Sequence, residues 1–249
     1  MTKQDIEQIH ERLPQMTFNQ QLAFFWFMGQ RLYPNYLAFH KKTHWGNPEV
    51  LQQAAAFFAE AIPTGIEQKT GKSSLYQALA NTAPDIDDFD DFTASLALDA
   101  CAVWQEGLGF IEDKDTSHLI DVSASAVDLA QMHIELQEEK NHDDYAFEKP
   151  PLQEEIRFQQ EIISALGAQN PVSESFLYNT TFTYSHLGAT WAHIPLEELL
   201  PPKKSYHWQT LTFPVGDDLQ SWLADKNITI DELVPELLQN FYQTFKKVL

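Results

Sequence analysis

Along the first 167 residues, apolar side chains recur at three- and four-residue spacing, the period of helices that each bury one face. From Leu22 to Met28 nearly every residue is apolar, so the helix opening at Phe18 is expected to be buried on most sides. Pro34, in the run Arg31 to Phe39, has no amide hydrogen and predicts a kink or break. Gly46-Asn47-Pro48 ends that stretch, and Pro48 suits the first position of a helix through Ala61. Ser73 to Ala83 reads as a shorter helix capped by Ser73 or Ser74. Asp88 or Asp90 caps a helix to about Leu108, and Asp115 or Thr116 opens a long one carrying Leu119, Val122, Ala126, Leu129 and Ile134. Pro150-Pro151 starts the last, with Ile156, Ile162, Ile163 and Leu166 at helical spacing.

After Gly167 the texture changes. Phe176 to Tyr184 and His207 to Phe213 are rich in β-branched and aromatic residues with partial alternation, a strand signature, and His186 to Ile194 offers a third strand. Asp217 suits the cap of a helix to Ala224, and Thr229 with Glu232 forms a capping box for a final one. The expected fold is mainly α: an α-helical bundle over 1–167, followed by a small α+β module over 176–249 packed against it. The chain shows no internal repeat and no low-complexity tract.

Charge sharpens this picture. The 249 residues carry 36 acidic and 16 basic side chains, a formal net charge of −20. Residues 1–84 contribute +1, residues 85–167 contribute −17 and residues 168–249 contribute −4. The middle third therefore holds nearly all of the imbalance. Its densest clusters are Asp85, Asp87, Asp88, Asp90 and Asp91, then Glu112, Asp113 and Asp115, then Glu135, Glu138, Glu139, Asp143, Asp144 and Glu148. Such a surface repels free nucleic acid and attracts a basic partner over about a Debye length, or it serves simply as a solvated face that maintains solubility. The single cysteine, Cys101, excludes an internal disulfide and a multi-thiolate zinc knuckle. There is no long uncharged apolar run, so no membrane span is expected. With a polar N-terminal stretch unlike a signal peptide, the expected location is cytoplasmic.

Three segments carry a resemblance. The first is Gln21-Leu22-Ala23-Phe24 leading into Gln30-Arg31-Leu32-Tyr33-Pro34-Asn35-Tyr36, with Phe39 and Thr43 to Gly46 behind it. The second is Pro84 to Phe89 with Asp90, and the third is Leu98-Asp99-Ala100-Cys101-Ala102. Together they resemble the bacterial YjaG-like family over about residues 10–165. The resemblance implies an all-helical fold for two thirds of the chain and carries over no catalytic residue. It departs after Glu138, where this chain inserts His142 to Pro151, and residues 170–249 find no counterpart. Read physically, Pro34 frees carbonyls in its helix, Arg31 supplies donors, and Asp99 is the expected buried counter-ion of Arg31.

Candidate chemistry is sparse. His40 and His44 lie four apart and could share a metal, but no carboxylate follows on that face, so ordinary packing is expected. His133, Glu135 and His142 reproduce neither HExxH nor a di-iron spacing. The Asp85 to Asp91 run lacks EF-hand spacing, and with nine glycines and no GxSxG, Walker or GxGxxG motif a phosphate cradle is not expected. Cys101 is expected to be a buried, inert thiol. Trp191 and Trp208, with nearby histidines, cap a thin core or serve as contact anchors. No catalytic residue, metal or cofactor is assigned. The expected function is an acidic interaction protein, most concretely an immunity protein or antitoxin that neutralises a basic toxin such as a secreted nuclease. Asp85, Asp87, Asp88, Asp90, Asp91, Glu138, Glu139, Asp143, Asp144 and Glu148 are its expected contacts. The alternatives are a structural or regulatory homodimer and a metal-dependent enzyme.

Overall fold

The longest apolar run becomes the central element. In the computed structural model, which describes residues 1–64, 72–89, 92–138, 145–173 and 176–177, this run lies in a continuous helix, Phe18–Thr43. Thr17 caps it: the Gln20 N–H donates to Thr17 Oγ1 at 3.4 Å, and the Thr17 N–H donates to Gln20 Oε1 at 2.8 Å. Every residue from Gln20 to Gly29 is buried, as the unbroken apolar stretch demands.

Seven helices are described. They are α1 (Lys3–Arg12), α2 (Phe18–Thr43), α3 (Pro48–Thr64), α4 (Lys72–Thr82), α5 (Phe92–Asp113), α6 (Ser117–Glu138) and α7 (Pro150–Gly167). Among the described residues every regular element is helical. Phe18 stacks on Phe110 at 5.4 Å while Phe39 meets Phe89 edge-on at 5.0 Å, so α2 and α5 run antiparallel. Short turns bring α6 back along α5, and the Gln20 side chain donates to the Leu166 carbonyl at 2.9 Å, setting α7 antiparallel to α2. Phe25, Phe58, Trp104 and Phe110 interlock between α2, α3 and α5. Each contributes about 1.5–3 kcal/mol by leaving water, so this cluster is a main source of the bundle's stability.

Two expectations change, and one helix gains its bounds. Pro34 does not break its helix. It costs one ladder hydrogen bond, about 3 kcal/mol in an isolated helix, but α2 is buried against its neighbours and packing outweighs that cost. Helix α1 falls within the stretch expected to be helical, and the structure gives it bounds, Lys3–Arg12. Its Ile6 and Ile9 are buried, and the Gln160 side chain of α7 donates to Asp5 at 3.2 Å. Neither Ser73 nor Ser74 caps α4, since the helix begins before them at Lys72.

The residues after α7 remain with the bundle: Val172 and Leu177 are buried in its core and Phe176 packs edge-on against Phe27 at 6.1 Å. Phe176 and Leu177, expected to open a strand, are helical. The other proposed strands and helices of the 176–249 module lie outside the described residues.

Candidate functional site at the acidic end of the bundle

The antiparallel packing gathers one end of α2, α5, α6 and α7 together: Thr43, Phe92, Glu138 and Pro150 terminate their helices there. Two of the three acidic clusters therefore share an end of the bundle although they are about fifty residues apart in sequence. Asp85, Asp87 and Asp88 sit in a short 3-10 turn, Ile86–Asp88, and all three are exposed. Asp85 Oδ1 accepts the Asp87 N–H at 3.1 Å, so Asp85 caps this turn. Asp88 lies inside the turn, several residues before α5, and is not the cap of that helix. None of the three carboxylates forms an ion pair among the described residues. Glu138 and Glu148 are exposed at the same end; Lys149 donates to Glu138 and neutralises part of its charge, whereas Glu148 forms no ion pair among the described residues. Asp90, Asp91, Glu139, Asp143 and Asp144 lie outside the described residues.

A second corner feature is legible only in the structure. The chain leaves α2 through His44 at φ 58° and Gly46 at φ 73°, two left-handed residues in succession around Trp45. The Asn47 N–H donates to the Tyr36 hydroxyl at 3.1 Å, and that hydroxyl donates to the Thr82 carbonyl at 2.9 Å, clamping this loop to the end of α4. Burial, reinforced by the neighbouring Cys101 and Tyr33 side chains and only partly opposed by these two hydrogen bonds, raises the Tyr36 phenol to about 12, so it stays a donor at any physiological pH. His40 and His44 are not brought together as ligands. His40 Nδ1–H donates to the Trp45 carbonyl at 2.7 Å, while His44 has left the helix.

The interior holds a polar network rather than a reaction centre. Arg31 Nε donates to Glu155 Oε2 at 2.6 Å, with both side chains essentially inaccessible. Glu155 Oε1 accepts from Gln159 at 2.9 Å, and Gln159 Oε1 accepts the Ser123 hydroxyl at 2.5 Å. The guanidinium also lies 4.7 Å above the Phe158 ring. The expected Arg31–Asp99 pair is therefore replaced by Arg31–Glu155: residue 31 faces α7. Asp99 instead stands near Asp128, its carboxyl pushed up to about 6 first by burial and then by that like charge. The run Arg31 to Tyr36 thus works as a staple: Arg31 to α7, the Tyr33 hydroxyl to Gln52 of α3 at 2.8 Å, and Tyr36 to the end of α4.

Cys101 is buried as expected, and burial raises its thiol to about 12, leaving almost no thiolate at neutral pH. Among the described residues no group of three or more His, Cys, Asp or Glu side chains is arranged to hold a metal ion, and no helix is long and apolar enough to cross a membrane.

A helical bundle with a stapled interior and an acidic, aromatic-cornered end is the class that this geometry defines. Within that class, the chain belongs to the DUF416 family, described as a protein of unknown function, which matches residues 8–180. The match runs through the 142–151 stretch and past α7, further than the sequence resemblance reached. The chain is 25% identical over 161 residues to the uncharacterized protein YjaG of Escherichia coli (strain K12), covering 64% of this chain and 82% of that one. It is 26% identical over 125 residues to the uncharacterized protein YjaG of Salmonella typhimurium, covering 50% and 63%. A crystal structure of a DUF416 family protein from Shewanella baltica OS155 superposes with a TM-score of 0.64 at 21% identity, covering 70% of this chain and 92% of that one. That likeness establishes the shared fold.

Proposed function

We propose that the protein is an interaction protein that binds and neutralises a basic protein, in the manner of an immunity protein or antitoxin against a toxin such as a secreted nuclease. The observation that supports this reading most is the set of exposed carboxylates Asp85, Asp87 and Asp88, which form no ion pair among the described residues, at the end of the bundle that also carries Glu138 and Glu148. Like charges concentrated on one end cost self-repulsion, and an oppositely charged partner removes that cost. Nuclease toxins are often basic because their substrate is anionic, and opposite charge speeds capture before the toxin reaches its target.

Two measurements test the reading. Co-expression with the product of the adjacent gene is expected to relieve its toxicity and to give a complex that survives gel filtration; a harmless neighbour that forms no complex would overturn it. In such a complex, changing Asp87, Asp143 and Asp144 to Lys is expected to slow association and flatten its salt dependence, with the fold unchanged. Association at the wild-type rate at low ionic strength would make these residues solubility charges.

A further inference from the structure

Four large apolar side chains stand exposed among the described residues: Trp45, Tyr76, Ile86 and Leu136. Trp45 in the turn after α2, Ile86 in the acidic turn and Leu136 in the last turn of α6 all belong to the acidic end. Trp45 is 41% exposed although its backbone is fixed. Its carbonyl accepts from His40 at 2.7 Å, its N–H donates to Thr43 Oγ1 at 3.2 Å, and left-handed residues flank it on both sides. The indole leans edge-on against Phe89 at 5.7 Å, and Phe89 in turn packs on Phe39 of the core. Phe89 closes the turn that carries Asp85, Asp87 and Asp88, its N–H donating to the Ile86 carbonyl at 3.3 Å. An aromatic face held this firmly gives up little freedom on binding, which favours an anchor over a loose loop residue.

We infer that Trp45 is the anchor of a docking surface for an arginine-bearing segment of a basic protein, the guanidinium lying on the indole and its charge met by Asp85, Asp87 and Asp88. This rests on the interaction reading above and names its chemistry. Arginine fits better than lysine because its planar, weakly hydrated head stacks on an aromatic face while its N–H groups reach carboxylates. A second copy of this chain is disfavoured as the occupant, since each copy carries −20 and two acidic ends repel.

The test uses the full-length protein and two synthetic decapeptides, alternating Arg-Gly and alternating Lys-Gly, titrated by calorimetry at low ionic strength. Trp45→Ala is expected to weaken the arginine peptide about tenfold and the lysine peptide less than about threefold. Asp87→Asn with Asp88→Asn is expected to weaken both, and Trp45→Phe, which keeps a ring beside Phe89, to restore most of the arginine affinity. Wild-type arginine affinity in a folded Trp45→Ala variant overturns the anchor, while the aspartate variant judges the acidic surface separately. If Trp45→Ala unfolds, the comparison passes to Trp45→Gln, with the same tenfold criterion. Absence of saturable arginine-peptide binding to the wild type overturns the inference, and the co-expression complex then decides the broader reading alone. Concentration-dependent dimerisation that Trp45→Ala abolishes makes a second copy the occupant and also overturns it.

Discussion

Arg31 and Glu155, 124 residues apart in the chain, meet at 2.6 Å in the interior and join α2 to α7. Removing one partner leaves a buried charge without its counter-ion, whereas removing both leaves none. Arg31→Met is therefore expected to destabilise the fold by about 3–5 kcal/mol, and Arg31→Met with Glu155→Met to recover most of that loss. Chemical denaturation of the two variants checks this. A single variant as stable as the wild type would mean that the pair contributes nothing to the junction.

That pair also shows where sequence reading reaches its limit. Burial of Arg31 was legible, because it sits on an otherwise apolar helix; its partner was not. Asp99 and Glu155 both lie on helices with apolar faces, and only the rotation of α2 against α5 and α7 selects between them. Helix positions were readable where punctuation is strong, as at Pro48, at Asp115 and Thr116, and at Pro150. At Pro34 the local rule fails, because the element that holds it is already buried against its neighbours. The acidic clusters stood out in the sequence, but their convergence on one end follows from antiparallel packing. Trp45 carried a faint signal, an aromatic residue caught between a helix stop and a glycine. The stronger aromatic signals, Trp191 and Trp208, lie outside the described residues.

Gly29 on α2 faces the ring of Trp104 on α5, where an added Cβ would lie 2.2 Å from the indole. The gain in helix propensity from Gly29→Ala, about 1 kcal/mol, is outweighed by forcing apart two packed helices, which costs about 1–3 kcal/mol or more. The variant is expected to lose net stability and to shift the near-ultraviolet tryptophan signal. Gly167→Ala, where nothing lies within 4 Å, provides the control and is expected to be neutral or slightly stabilising. Equal melting points for the two variants would rule out the close approach.

At the opposite end of the bundle, His118 lies between Glu106, 2.5 Å from Nδ1, and Asp113, 3.1 Å from Nε2. Partial burial pulls its pKa down, but the two carboxylates more than offset this, and the net shift is upward. A histidine with a raised folded pKa contributes stability that is fully present below its unfolded value near 6.5 and is lost as pH rises through the folded one. Both carboxylate partners are exposed to solvent, which screens the interaction, so the effect is modest. His118→Gln is expected to lower the melting temperature at pH 6 and to change it much less at pH 9. A deficit that is the same at both pH values would mean packing, not charge, sets the role of His118.

Asp99 gives the opposite expectation for a substitution. Burial, reinforced by Asp128, raises its carboxyl from 3.8 to about 6, while the Tyr145 hydroxyl donates to Asp128 at 2.5 Å and supports the neighbouring charge. A carboxyl whose folded pKa lies above its unfolded one favours the fold while protonated. Its contribution is present below pH 3.8 and is lost as pH rises through about 6. At pH 7.5 the ionised Asp99 therefore works against the native state, and the charge-free Asp99→Asn is expected to stabilise it by about 1–2 kcal/mol after allowance for solvent screening. At pH 4 the wild-type carboxyl is already mostly protonated in the fold, so the advantage should nearly vanish. Asp128→Asn is expected to bring part of the same gain at pH 7.5, and less in a chain that already carries Asp99→Asn, because the repulsion is shared. Denaturant melts of the two single variants and the double variant at both pH values check this. A gain of equal size at pH 4 and pH 7.5 would mean that ionisation of Asp99 is not the cause, and strict additivity of the two substitutions would separate Asp99 from Asp128 and leave burial alone as the cause.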